Sequence, residues 1–180
     1  MTGQDGGEAK PLVGVVMGSD SDLPVMREAC RALEEFGVPY EVRILSAHRS
    51  PEETAAYAKG ASGRGVKALI AGAGWAAHLA GVLASQTTLP IIGVPIDSSP
   101  LKGFDALLST VQMPPGIPVA TMAVGKGGAR NAALFAVQIL ALGDEGLAGK
   151  LLEFKEKMAV AIREKNRAFQ ESPDERAPGG

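Results

Sequence analysis

The chain has 180 residues, 46% of them apolar but only 4% aromatic, and its 18 basic and 20 acidic side chains leave a formal charge of −2. That length suits one domain with a sizeable core, and the near-balanced charge gives no electrostatic footprint for nucleic acid or an anionic membrane. With so few aromatics there are no base-stacking platforms, and the core has to be built from Ala, Val, Leu and Ile packed among 23 glycines.

Residues 1–10 (MTGQDGGEAK) carry two acids and no apolar core, so they are not expected to be a signal peptide. They and residues 171–180 are expected to be disordered tails flanking a single α/β domain at 11–170. LVGVVM (12–17) predicts the first strand. The stretch DLPVMREACRALEEFG (22–37) follows with Met26, Cys30, Leu33 and Phe36 at helical spacing and Gly37 as a stop. Cys30 is the only cysteine, so no intramolecular disulfide can form, and it is expected to act as a small buried hydrophobe. YEVRILS (40–46) predicts a second strand, and PEETAAYAKGAS a helix with proline in its first turn. KALIAGA (67–73) is the third strand, followed by an Ala/Leu-rich helix to about Gln86. LPIIGVP (89–95) is the fourth, and FDALLST (104–110) a short helix. A proline-rich loop at 113–118 leads to a fifth strand, VATMAV (119–124), and then to the long apolar helix GGARNAALFAVQILAL. A last helix, 147–169, carries an apolar stripe of Leu147, Leu151, Phe154, Met158, Ile162 and Phe169 that must be buried against something. No run approaches the roughly 20 apolar residues that span a bilayer, so a soluble cytoplasmic protein with no membrane partner is expected.

Strand runs apolar at every position, alternating with helices, predict a parallel sheet covered on both faces, a three-layer doubly wound α/β domain. In such sheets ligands bind beyond the carboxyl ends of the strands, where the strand order reverses. In a 2-1-3-4-5 order that point lies between strands 1 and 3. The loops after strands 1, 2 and 3 then meet there: GSDSD (18–22), SAHRS (46–50) and GAGWAAH (72–78). The chain's two histidines, His48 and His78, both fall in this set.

GSDSD places Ser19 and Ser21 just before a helix, where exposed N–H groups attract anions. Asp22 is either the N-cap of that helix or an acceptor for ligand hydroxyls such as those of a ribose. In SAHRS, Arg49 offers a planar fork suited to phosphate or carboxylate, and Ser46 and Ser50 can add hydroxyls. Ser50 is alternatively a helix cap with Glu53 completing a capping box. Imidazole is the side chain that exchanges protons near neutral pH, which makes His48, beside that arginine, a candidate acid/base; the bland alternative is a solvated loop. Gly72, Gly74 and Ala77, with Asp97 twenty residues on, fit the dinucleotide fingerprint G-x-G-x-x-A, but on the third strand rather than the first, where that motif belongs. A plainer use of these glycines is to bring backbone close to a small planar ligand. His78, about a turn into the following helix, is either ligand-facing or a helix-start residue. No G-x-S-x-G elbow is present, and two lone histidines without a cysteine pair or H-x-x-x-H argue against a metal.

Taken together, MGSDSD, SAHRSPE, AGAG-AAHL, GVP, STVQMPPGIPVAT and GKGGARNAALFAVQIL resemble the N5-carboxyaminoimidazole ribonucleotide mutases of purine biosynthesis, over about residues 12–142. The resemblance implies a flavodoxin-like three-layer fold, an octamer, and an isomerase that moves a carboxylate from the exocyclic nitrogen to a ring carbon of a ribonucleotide without metal or organic cofactor. It implies that Ser19, Ser46 and Arg49 hold the substrate phosphate, that Asp22 holds the ribose hydroxyls, and that His48 is the acid/base. Ala73, Gly74, Trp75 and Ala76, with His78 and Leu79, would enclose the aminoimidazole and the migrating CO2. Two positions depart from the family pattern: Trp75 stands where glycine is usual and Ala80 where proline is usual. A related class carboxylates aminoimidazole ribonucleotide directly with free CO2; the retained AAHL favours the mutase. The classes weighed against it are a non-catalytic nucleotide sensor using the same crevice and an NAD-dependent enzyme using the glycine motif.

Overall fold

A computed structural model of the chain describes residues 10–171; the tail expectations fall almost wholly outside them. Five strands form one parallel sheet: β1 (Val13–Met17), β2 (Tyr40–Ile44), β3 (Ala68–Gly74), β4 (Ile91–Ile96) and β5 (Ala120–Thr121), in the order β2-β1-β3-β4-β5. The helices between them are α1 (Leu23–Phe36), α2 (Pro51–Ala61), α3 (Leu79–Gln86) and α4 (Phe104–Val111), with α5 (Lys126–Ala141) after β5. Right-handed crossovers put α1 on one face and α2, α3 and α4 on the other, and α5, which follows the last strand, lies on the α1 face. The Arg130 guanidinium of α5 accordingly forms a two-pronged ion pair with Glu35 of α1, at 3.0 and 2.8 Å. This is the flavodoxin-like doubly wound order, and it places the reversal between β1 and β3.

The central strands explain their composition. Every residue of β1 and β4 is buried, as are the first five of β3. Helix α1 buries Met26, Ala29, Cys30, Leu33 and Phe36, the stripe that its sequence spacing predicts, and ends on Gly37 at φ +70°. Met26 lies against Gly72 so closely that a β-carbon there would stand 2.2 Å from its sulfur. Each large apolar side chain fully withdrawn from water contributes about 1.5–3 kcal/mol. On the other face Tyr57, Ala58 and Ala61 of α2 join Leu79 and Leu83 of α3 over Val16 and Leu69.

Two edges depart from the expectation of strands covered on both faces. Val42, Arg43 and Ile44 of β2 are exposed, because an edge strand has a neighbour on one side only. The expected six-residue fifth strand shortens to Ala120–Thr121. Gly125 N–H still donates to Pro95 O at 2.9 Å, so Pro95 turns its polar groups toward β5. Proline has no N–H to return, and the ladder ends after two residue pairs.

The described residues divide into two compact units between Leu140 and Ala141. The second holds one long helix, α6 (Glu145–Glu171), whose Leu147 N–H is capped by Asp144 Oδ1 at 3.0 Å. No helix of the described residues is long and apolar enough to cross a membrane.

Candidate active site

The loops after β1, β2 and β3 converge on one cleft of about 580 Å³. Ser19 and Asp22 come from the first loop, Ser46, His48 and Arg49 from the second, and Ala73, Gly74, Trp75, Ala76, His78 and Leu79 from the third strand end and the start of α3. Every residue that the family resemblance assigns to the site lines it, whereas Ser50, the other hydroxyl offered for an anion, does not.

The first loop differs in detail from the expected anion cradle of backbone N–H groups. Two of those donors go to its aspartates and a third to a backbone carbonyl. Ser19 N–H donates to Asp22 Oδ2 at 3.0 Å, Ser21 N–H to Asp20 Oδ1 at 3.0 Å, and Asp22 N–H to Ser19 O at 3.2 Å. Asp22 therefore closes a single 3-10 turn at residues 20–22 with Ser19 as its cap; its side chain makes no cap for α1. Asp22 is only 5% exposed. Burial pushes its carboxyl above the ordinary aspartate value, against the backbone hydrogen bonds and the Arg49 charge that pull it down.

The second loop is wound on Ser46. Its oxygen Oγ accepts from Arg49 N–H at 3.1 Å and from Arg49 Nε at 3.3 Å. Ser50 makes no capping box with Glu53: its hydroxyl accepts from Ser46 N–H at 3.0 Å and donates to Ser46 O at 3.2 Å, closing the loop on itself. Arg49 reaches across to donate from Nη2 to Gly18 O at 2.9 Å. Its guanidinium is thus tied to both loops while its other donors stay free for an anion.

The third loop holds two close approaches. A β-carbon on Gly74 would stand 1.8 Å from Ser98 Oγ, so only glycine lets the end of β3 pass the loop after β4. Gly72 and Gly74 both lie within β3 and serve packing, with no strand-to-helix turn between them; the dinucleotide reading lacks the turn it requires. Trp75 follows with φ +54°, in the left-handed region that costs a non-glycine residue about 1–2 kcal/mol. His78 stands at the cap of α3, before its first turn, where no side-chain cap is made. Its Nδ1 lies 2.7 Å from His48 Nε2, with the rings edge to face at 4.8 Å between centroids. Among the described residues no three His, Cys, Asp or Glu side chains gather as a metal cage.

Sequence reasoning missed Ser98, which also lines the cleft. In this strand order the loop after β4 neighbours that after β3, so IDSS (96–99) carried the signal.

Comparison with known proteins identifies the relatives of the chain. The AIR carboxylase family pattern matches residues 12–161. An N5-carboxyaminoimidazole ribonucleotide mutase of Pyrococcus horikoshii is 56% identical over 167 residues, 93% of each chain. The Bacillus subtilis mutase is 54% identical, covering 86% of this chain and 96% of its own. A crystal structure of Treponema denticola PurE superposes with a TM-score of 0.79 at 31% identity, over 88% of this chain and 98% of that one.

Proposed function

The chain belongs to the AIR carboxylase family, and from that premise we propose that it is an N5-carboxyaminoimidazole ribonucleotide mutase, an isomerase of purine biosynthesis. One observation carries the reading: in a chain 56% identical to such a mutase, His48 and Arg49 are consecutive residues lining one cleft with Asp22. Arg49, Ser19 and Ser46 hold the phosphate; Asp22, close to the same grip, takes the ribose hydroxyls. With that end fixed, the imidazole ring of the substrate falls against the third loop and His48.

Protonated His48 gives its proton to the exocyclic nitrogen as the N–C bond to the carboxylate breaks, releasing CO2 and the free amine. CO2 stays between Ala73, Ala76 and Leu79. The nucleophilic ring carbon attacks it, a C–C bond forms, and neutral His48 removes the proton from that carbon. The histidine ends as it began, and substrate and product are isomers. Retaining CO2 keeps the second step unimolecular, and such positioning lowers a barrier by up to about 7–11 kcal/mol. His78, bonded to His48, holds the working imidazole in place. The protein works in the cytoplasm as a homo-octamer, without cofactor or nucleic-acid partner.

A second reading, direct carboxylation of aminoimidazole ribonucleotide with free CO2, has one observation in its favour. The phosphoribosylaminoimidazole carboxylase of Saccharomyces cerevisiae is 57% identical over 156 residues, 86% of this chain but 27% of that one. One assay separates the readings: formation of 4-carboxy-5-aminoimidazole ribonucleotide with and without bicarbonate. A mutase converts the N5-carboxylated substrate at a rate independent of bicarbonate. A carboxylase needs bicarbonate and uses the uncarboxylated amine, and a nucleotide sensor forms no product under either condition.

A further inference from the structure

Trp75 is the only tryptophan of a chain with 4% aromatic residues. It lines the cleft yet remains 59% exposed, so it stands at the rim with its indole largely uncovered. Its backbone, at φ +54°, is in a conformation that glycine would adopt without cost. Packing in the described chain therefore neither needs nor rewards a bulky side chain here, and an outlier of this kind at a cleft points to a use for the strain. The rest of the lining consists mainly of serine hydroxyls, imidazoles, glycines and alanine methyls; Trp75 supplies its one broad, flat apolar face. Arg49 and Asp22, at the other two loops, take the charged and hydroxylated end of a ligand. What is left at the β3 loop is the planar ring.

We infer that Trp75 is a specificity-determining residue whose indole stacks on the aminoimidazole ring of the bound ribonucleotide. This rests on the ribonucleotide assignment above and adds to it: the ring is selected by its π-face, separately from the phosphate grip. A stack of this kind typically strengthens binding by about tenfold.

The test uses the full-length protein, Trp75→Gly and Trp75→Phe, with aminoimidazole ribonucleotide and ribose 5-phosphate as probes that differ in the ring alone. Glycine suits the observed backbone, so Trp75→Gly is expected to fold with an unfolding temperature no lower than the parent's. It is expected to bind aminoimidazole ribonucleotide about tenfold more weakly and ribose 5-phosphate within twofold of the parent, while Trp75→Phe stays within about threefold for both. Parent tryptophan emission is expected to respond to the ring-bearing probe and not to ribose 5-phosphate. Unchanged affinity for both probes in Trp75→Gly overturns the inference, and so does a parallel loss for both, which would make Trp75 a mere support for the cleft. A parent that shows ring-selective binding but no turnover sinks the mutase reading and leaves the stack standing. Turnover with ring affinity unaltered in Trp75→Gly does the reverse.

Discussion

His48 Nε2 and His78 Nδ1 face each other across 2.7 Å, two imidazoles thirty residues apart in sequence joined by one hydrogen bond. Such a bond needs one donor and one acceptor, so it survives the first proton added to the pair and breaks with the second. A histidine that must give a proton and take one back thus works beside a partner that holds its orientation in both states. His48→Asn is expected to abolish turnover while substrate binding stays within about tenfold, since the phosphate grip is untouched. Activity within about tenfold of the parent would remove His48 from the chemistry.

His78→Leu deletes the hydrogen bond and keeps bulk at the cap of α3. The expected result is a kcat lower by about 10–100-fold with KM little changed, because a misoriented His48 is still present but poorly aimed. His78→Asn, whose amide can replace the lost partner, is expected to recover part of kcat. Equal losses in both variants would mean that His78 supports only the fold of the loop.

Arg49 is held by Ser46 Oγ on one side and Gly18 O on the other. Lysine cannot reproduce two ties and a fork at once. Arg49→Lys is expected to weaken binding of phosphate-bearing ligands by about 10–100-fold, the scale of one charged hydrogen bond, with less effect on kcat. Isothermal titration with ribose 5-phosphate measures this; unchanged affinity would place the anion elsewhere.

Asp22 links the site to stability through pH. Its carboxyl lies above the ordinary value of 3.8 in the folded protein, chiefly because it is buried. Folding therefore favours the protonated form. The stabilising contribution is complete below 3.8 and is lost as pH rises through the folded value, so the ionised group opposes folding at neutral pH. Asp22→Asn, whose amide oxygen can still accept from Ser19, is expected to unfold at a higher temperature than the parent at pH 7, with the gap closing toward pH 4. The same change is expected to weaken binding of the ribose by about tenfold. A variant less stable at pH 7 would show that the carboxylate holds the turn by charge.

Much of this was legible in the residues. The apolar runs of β1, β3 and β4 and the Met26–Cys30–Leu33 stripe of α1 are simple periodicities with one physical solution, and the parallel order then brings three particular loops together. What was illegible depended on neighbours outside the local sequence. Asp22 reads as a helix cap until Ser19 is seen donating to it, and Ser50 likewise until its hydroxyl is seen turned back on Ser46. VATMAV has the composition of a full strand, but Pro95 on the adjoining strand removes the donor it would need. Ser98 enters the cleft because β4 lies beside β3, so IDSS becomes readable only once the strand order is applied to it.

The apolar stripe of α6 carries the last prediction. Leu147 is buried, but Met158, Ile162 and Phe169 are exposed, Ile162 at 64%. Leu152 and Val160 add further exposed apolar surface to the same helix. Water contact over that much of a helix is costly to leave uncovered, and a second copy of the chain, as in the proposed octamer, would supply the covering surface. Deleting residues 145–180 is expected to break the octamer proposed above into smaller species and to lower activity, as read by light scattering and the bicarbonate-free assay. Substituting Met158, Ile162 and Phe169 together by serine keeps the helix and removes only its apolar face. It is expected to dissociate the assembly in the same way, whereas an octamer of normal activity in both variants would rule out α6 as the element that joins the copies.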